Sequence, residues 1–221
     1  MIRTVLSVFA VVLAANPAFA ANREAVPNTG TIEFDVYRGD SRFGSHILRF
    51  EELGDRLQVT SDVDLRVRIG PITVFRYEHD STEVYEGDNL VSFEAETLKD
   101  GKRLVVDLDR AGDQLSGRGT DADGNALAVE HNAGLILSSH WQGYEEGTDV
   151  ILNTETGEEM PVTIREIGVE TLTIGGRAIE TRHIRVEGSL TLDLWYGPDG
   201  EWLRCSFSAR GQDVTYIRRN I

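Results

Sequence analysis

The stretch from Leu57 to Ile69 constrains the fold more than any other part of the chain. Leu57, Val59, Val63, Leu65, Val67 and Ile69 share one parity, and Gln58, Thr60, Asp62, Asp64, Arg66 and Arg68 share the other. Only Ser61 interrupts the apolar face. A helix of 3.6 residues per turn would mix the two sets, whereas a strand sends successive side chains to opposite faces. At ~3.3 Å per residue this run spans about 43 Å, against about 5–6 residues for an ordinary strand. A strand that long twists and coils, so it belongs to a curved sheet wrapped around an interior.

The rest of the chain repeats the pattern on a shorter scale. Ile32, Phe34 and Val36 alternate with polar residues, as do Val91, Phe93 and Ala95, and Leu190, Leu192, Leu194 and Tyr196. Turn signals separate the runs: Gly39-Asp40, Gly54-Asp55, Asp100-Gly101 and Gly175-Gly176 each supply the small or left-handed residues that hairpins need. About ten to twelve strands are expected. The rhythm breaks between Ala133 and Glu146, which predicts a short helix or a long loop crossing one end of the sheet. The expected fold is all-β: a single antiparallel, strongly curved sheet, half-barrel or open barrel, with one short helix.

At the N-terminus Arg3 precedes an apolar run, Val5 to Ala15, then Pro17 and Ala18-Phe19-Ala20. Basic, then apolar, then small-x-small is the pattern of a cleaved secretion signal. The run is shorter than the roughly 20 apolar residues of a membrane span. The expected organisation is therefore a signal peptide at 1–20, a flexible leader at 21–29 and a single β domain at 30–221. Cleavage after Ala20 would release a periplasmic or secreted protein with no membrane span.

The net charge of −15 disfavours nucleic acid and anionic headgroups as partners. Cys205 is the only cysteine, so no internal disulfide forms; its parity with Leu203 and Phe207 places it in the core. His46, His79, His131, His140 and His183 show no metal-ligand spacing, and no cofactor motif is present. Asp121-Ala122-Asp123-Gly124-Asn125 begins like a calcium loop, but Ala126 and Asn132 stand where such a loop needs Gly and Glu, so a solvated hairpin loop is expected. No nucleophile elbow or phosphate-binding glycine loop occurs.

One segment of the C-terminal half carries a resemblance. Ser139-His140-Trp141, Ile151 to Gly157, Gly176, Leu192-Asp193-Leu194-Trp195-Tyr196, Gly200, Phe207, Gly211 and Tyr216 follow one another in order. Over roughly residues 30–219 the chain resembles a family of exported bacterial proteins classed as a domain of unknown function. It is more distantly similar to periplasmic, lipoprotein-carrier-like curved β-sheet proteins. The resemblance implies a periplasmic location and a half-barrel, and no catalytic residue.

Function is read from the same features. The leading expectation is a non-enzymatic protein whose concave face binds an apolar or lipid-like ligand or an envelope protein. His140, Trp141 and Tyr144, on the irregular segment, are the candidate ligand or partner residues, since such connections often line sites at the mouth of a curved sheet. Trp141 as a plug closing the barrel end is the structural alternative. Two other readings stay open: a hydrolase with its site near His140 and Trp141, using His140 or His131, and a purely structural interaction module.

Overall fold

The computed structural model describes residues 23–209, 211–219 and 221. The expected secretion signal lies outside the described residues. Among the described residues there are fifteen strands: β1 (Thr31–Arg38), β2 (Ser41–Leu53), β3 (Arg56–Ile69), β4 (Ile72–Glu86), β5 (Asn89–Lys99), β6 (Lys102–Ala111), β7 (Gln114–Thr120) and β8 (Ala126–Asn132) form the first run. A short pair follows, β9 (Val150–Leu152) and β10 (Glu159–Pro161). The second run is β11 (Thr163–Ile174), β12 (Arg177–Glu187), β13 (Leu192–Tyr196), β14 (Trp202–Ala209) and β15 (Gln212–Arg218).

Thirteen of these strands make one antiparallel sheet in the order β11-β12-β13-β14-β15-β1-β2-β3-β4-β5-β6-β7-β8. The two meanders join where β15 pairs with β1, Tyr216 opposite Val36. The free edges are β8 and β11, so the sheet is wrapped but not closed. Period two governs burial as the sequence requires: Ile32, Phe34 and Val36 are fully buried while their neighbours are not. Leu57 of β3 and Ile184 of β12 belong to one apolar core despite their distance in the sheet. Wrapping is what brings them together.

The connection from β8 to β11, residues 133–162, fills one end of the interior. Leu137, Trp141, Tyr144, Ile151 and Leu152 are all at most 2% exposed, so the segment is an internal plug. A parallel bridge between Leu137 and Leu152 stiffens it, and Thr120 N–H of β7 donates to Thr156 O over 2.9 Å. The expected short helix is not there: among the described residues the only helical turn is the 3-10 turn Arg23–Ala25. Residues 133–149 run through successive turns instead, with left-handed φ at His140 (+67°), Gly143 (+76°) and Gly147 (+91°). Left-handed residues break the i to i+4 ladder, and a plug that buries side chains in several directions has no single helical face.

Two further details differ from expectation. The strand count, fifteen among the described residues, exceeds the expected ten to twelve. The segment expected as a flexible leader is docked from Arg23 onward. Ala25 is fully buried, and the Arg23 guanidinium donates to Asp55 O and Gly87 O. Burial of Ala25 and Val26 against the core holds this edge in place. The Asp121 loop is a solvated hairpin whose carboxylate is taken by Asp123 N–H, Asn125 N–H and Asn125 Nδ2.

Candidate functional site

The end of the barrel opposite the plug is open and leads into a cavity of about 630 Å³. That is within the range of small-molecule sites, about 300–1,000 Å³. Strand register builds it in rows. One row crosses the sheet as Tyr216, Val36, Gly44, Leu65, Tyr77 and Lys99. The next row toward the plug reads Phe34, His46, Val63, His79 and Thr97, and the one after it Leu48, Ser61, Ser81 and Ala95. Above the first row Val67, Phe75, Phe207 and Val214 complete apolar walls.

The floor is polar. His46 Nε2 hydrogen-bonds Ser61 Oγ at 2.8 Å, and His79 Nδ1 hydrogen-bonds Thr97 Oγ1 at 2.8 Å. From the plug side His140 Nδ1 meets Tyr144 OH at 2.7 Å, and the His140 backbone carbonyl accepts from Tyr196 OH at 2.8 Å. Trp202 meets both rings edge-on, 5.5 Å from His46 and 5.7 Å from His140. Ser81 Oγ is buried with no partner among the described residues. Burial disfavours the charged imidazoles. It lowers His46 to about 3, helped by repulsion from His79 and His140, and lowers His79 and His140 to about 4. All three rings are neutral at pH 7.

The charged Lys99 and Glu155 sit at the row next to the floor. Lys99 Nζ pairs with Glu155 Oε2 at 2.7 Å, and Tyr77 OH donates to Glu155 Oε1 at 3.0 Å. These bonds also tie the plug to the wall, since Glu155 lies between β9 and β10. Ile72 and Val74 of the β3–β4 hairpin and Leu190 stand exposed, and Val74 and Leu190 border the opening.

The three candidate residues take different places. His140 lines the cavity. Trp141 and Tyr144 lie fully beneath it: Trp141 Nε1 donates to Glu83 Oε2 at 2.9 Å, and Tyr144 holds His140. His131 sits away from the cavity and pins the β9–β10 pair, its Nε2 on Gly157 O at 2.7 Å. His46, Ser61, His79 and Ser81 were missed by sequence reasoning. The signal was available: each is a polar residue on the buried parity of its strand.

The site is poorly equipped for acyl transfer. His46 and Ser61 form a Ser–His pair, but no carboxylate orients the ring among the described residues. Its proton affinity is also far below the value near 7 that a general base needs. Among the described residues no group of His, Cys, Asp or Glu is arranged to hold a metal ion. His183, on the outer face, has both ring nitrogens committed, to Glu170 Oε1 and Asp193 Oδ1 at 2.7 Å each, and stacks on Trp195. That cluster clasps β11, β12 and β13 together.

An open, plugged barrel with an apolar cavity defines the class as β-barrel-like. The chain belongs to the family described as a domain of unknown function, DUF6134, whose pattern matches residues 34–219. Its fold is similar to the crystal structure of a β-barrel-like protein of the domain of unknown function DUF1849 from Brucella abortus. The TM-score is 0.59 at 9% identity, with 86% of this chain and 95% of that one covered. No curated protein matches the sequence. Among the described residues no helix is long and apolar enough to cross a membrane.

Proposed function

We propose that this protein is an exported, non-enzymatic binding protein that holds an apolar or lipid-like molecule inside its open barrel. The supporting observation is the cavity of about 630 Å³, whose walls carry Val63, Leu65, Phe75, Phe207 and Val214 and whose Lys99 and Glu155 pair with each other. The other end is filled by the chain itself, so a ligand enters from one side, past Val74 and Leu190. Export rests on the basic–apolar–small order of residues 3–20.

The test is expression with the native N-terminus in a bacterial periplasm. Native mass spectrometry and organic extraction should find one amphiphile per chain, and N-terminal sequencing should read from Ala21. A fluorescent acyl probe should saturate at one site, and Val67→Trp, which narrows the opening, should weaken it by about tenfold, roughly 1.4 kcal/mol. A chain that carries no amphiphile and binds no acyl probe would remove the reading.

A further inference from the structure

The cavity floor specifies more than an apolar ligand, although any preference for a head group rests on the proposed binding function. Each floor imidazole spends one nitrogen on the protein: His46 on Ser61, His79 on Thr97, His140 on Tyr144. The second nitrogen of each meets no partner among the described residues. Ser81 Oγ, on a residue only 6% exposed, has none either. Four hydrogen-bonding atoms thus collect at the closed end of an apolar tube. A hydrocarbon terminus pressed against them would leave them unpaired.

Among the described residues, the charged ones that line the cavity are Arg38, Lys99 and Glu155. Lys99 and Glu155, at the row next to the floor, neutralise each other, and Arg38 lies one row further out, opposite Val214. A carboxylate or phosphate at the floor would surrender its water and, among the described residues, meet no cation except Lys99, which Glu155 already holds. An ammonium would find only Glu155, which favours the charged form of His79 but is already taken by Lys99 and Tyr77. A charge transferred from water to such a place is strongly disfavoured unless paired. Neutral imidazoles, by contrast, offer a donor or an acceptor according to tautomer, and a serine hydroxyl offers both. Burial keeps these rings neutral.

We propose that the barrel selects amphiphiles with an uncharged head that both donates and accepts hydrogen bonds, a hydroxyl or primary amide, bound head-first. The head meets His46, His79, His140 and Ser81, and the tail runs between the apolar walls toward the mouth.

The experiment holds the tail constant and varies the head. Displacement of a fluorescent acyl probe from the exported, delipidated chain at pH 7.5 is measured with 1-dodecanol, dodecanamide, dodecanoate, dodecyl phosphate and dodecylammonium, each below its aggregation limit. The alcohol and amide should bind at least about tenfold tighter than the three charged forms. Ser81→Ala, a near-isosteric change, and His79→Leu should each weaken the alcohol several-fold and shrink its advantage over dodecanoate. Equal or tighter binding of a charged head overturns the proposal. So does an alcohol preference that both variants leave untouched, since the head then lies elsewhere. If neither the probe nor any dodecyl compound binds, the binding reading itself fails, an outcome distinct from binding without head selection.

Discussion

Trp141 Nε1 donates to Glu83 Oε2 across 2.9 Å, joining the plug to the sheet through a carboxylate that is 1% exposed. Tyr85 OH donates to the same oxygen at 2.6 Å. Desolvation raises the Glu83 carboxyl above its usual value, and the hydrogen bonds from Tyr85 and Trp141 pull it back. The indole also meets Phe50 and Tyr85 edge-on, at 5.3 and 5.8 Å. One side chain therefore serves as both apolar filler and hydrogen-bond donor. This is the plug alternative for Trp141 realised.

Removing that side chain should be costly. Trp141→Ala should destabilise by about 3–5 kcal/mol, the usual range for a buried large aromatic. Trp141→Phe keeps most of the packing but takes one donor from Glu83, with an expected loss of about 1–3 kcal/mol. Glu83→Gln retains an acceptor and should cost less than Glu83→Ala. Urea midpoints rank the four variants. A Trp141→Ala chain as stable as the parent would show that the plug is not anchored here.

Much of this architecture was legible in the chain. The Leu57–Ile69 alternation is β3, and its interruption at Ser61 proved to be a feature of the cavity floor. The same logic applied to β4 would have found the floor, because Tyr77, His79, Ser81 and Glu83 all sit on its inward parity. Of residues 133–162 only the break in rhythm and the crossing of one end of the sheet were legible, not the packing. Their burial comes from contacts with strands far away in sequence, such as Trp141 with Glu83, and no local periodicity records those. His46 and His79 resembled ordinary strand histidines for the same reason: their register across Val63 exists only in the sheet.

Gly119 marks where the plug touches β7. A Cβ there would lie 2.3 Å from Thr156 O, a backbone atom that cannot swing aside. The adjacent bond from Thr120 N–H to Thr156 O depends on that approach. Gly119→Val should push the β9–β10 pair away and cost about 1–3 kcal/mol. Hydrogen exchange over residues 150–161 should rise well above the parent, with β1 and β2 unaffected. Unchanged protection in that stretch would contradict the docking geometry.

Cys205 gives an independent probe of the interior. It is 3% exposed, and burial, then the Asp193 carboxylate, push its thiol far above the ordinary value. Little thiolate exists at pH 8, and the thiolate is the reactive form. Modification by a maleimide in the native state should be at least about a hundredfold slower than in urea. A native thiol that reacts as fast as the unfolded one would mean that Cys205 is not desolvated in the cavity wall.

Acid should loosen the protein before its surface carboxylates are involved. His46, His79 and His140 are depressed from 6.5 to about 3, 4 and 4. The unfolded chain takes up these protons near pH 6.5, while the native chain does so only near 3–4. Across that window the unfolded state holds more protons, so stability rises with pH; it is fully present above 6.5 and is lost as pH falls. Each such proton contributes a slope of about 1.4 kcal/mol per pH unit. Glu83 acts in the opposite sense. Its raised carboxyl contributes stability below its ordinary value that is lost as pH rises, but it accounts for at most one proton against up to three. Carboxylates held low by partners, such as Asp35 and Glu170, begin to matter only near their ordinary values and below. The urea midpoint should therefore fall between pH 6.5 and 5, and His79→Asn, which cannot take up a proton, should flatten that fall. A midpoint that stays level or climbs as the solution is acidified over this range would mean that the floor imidazoles are not buried as neutral rings.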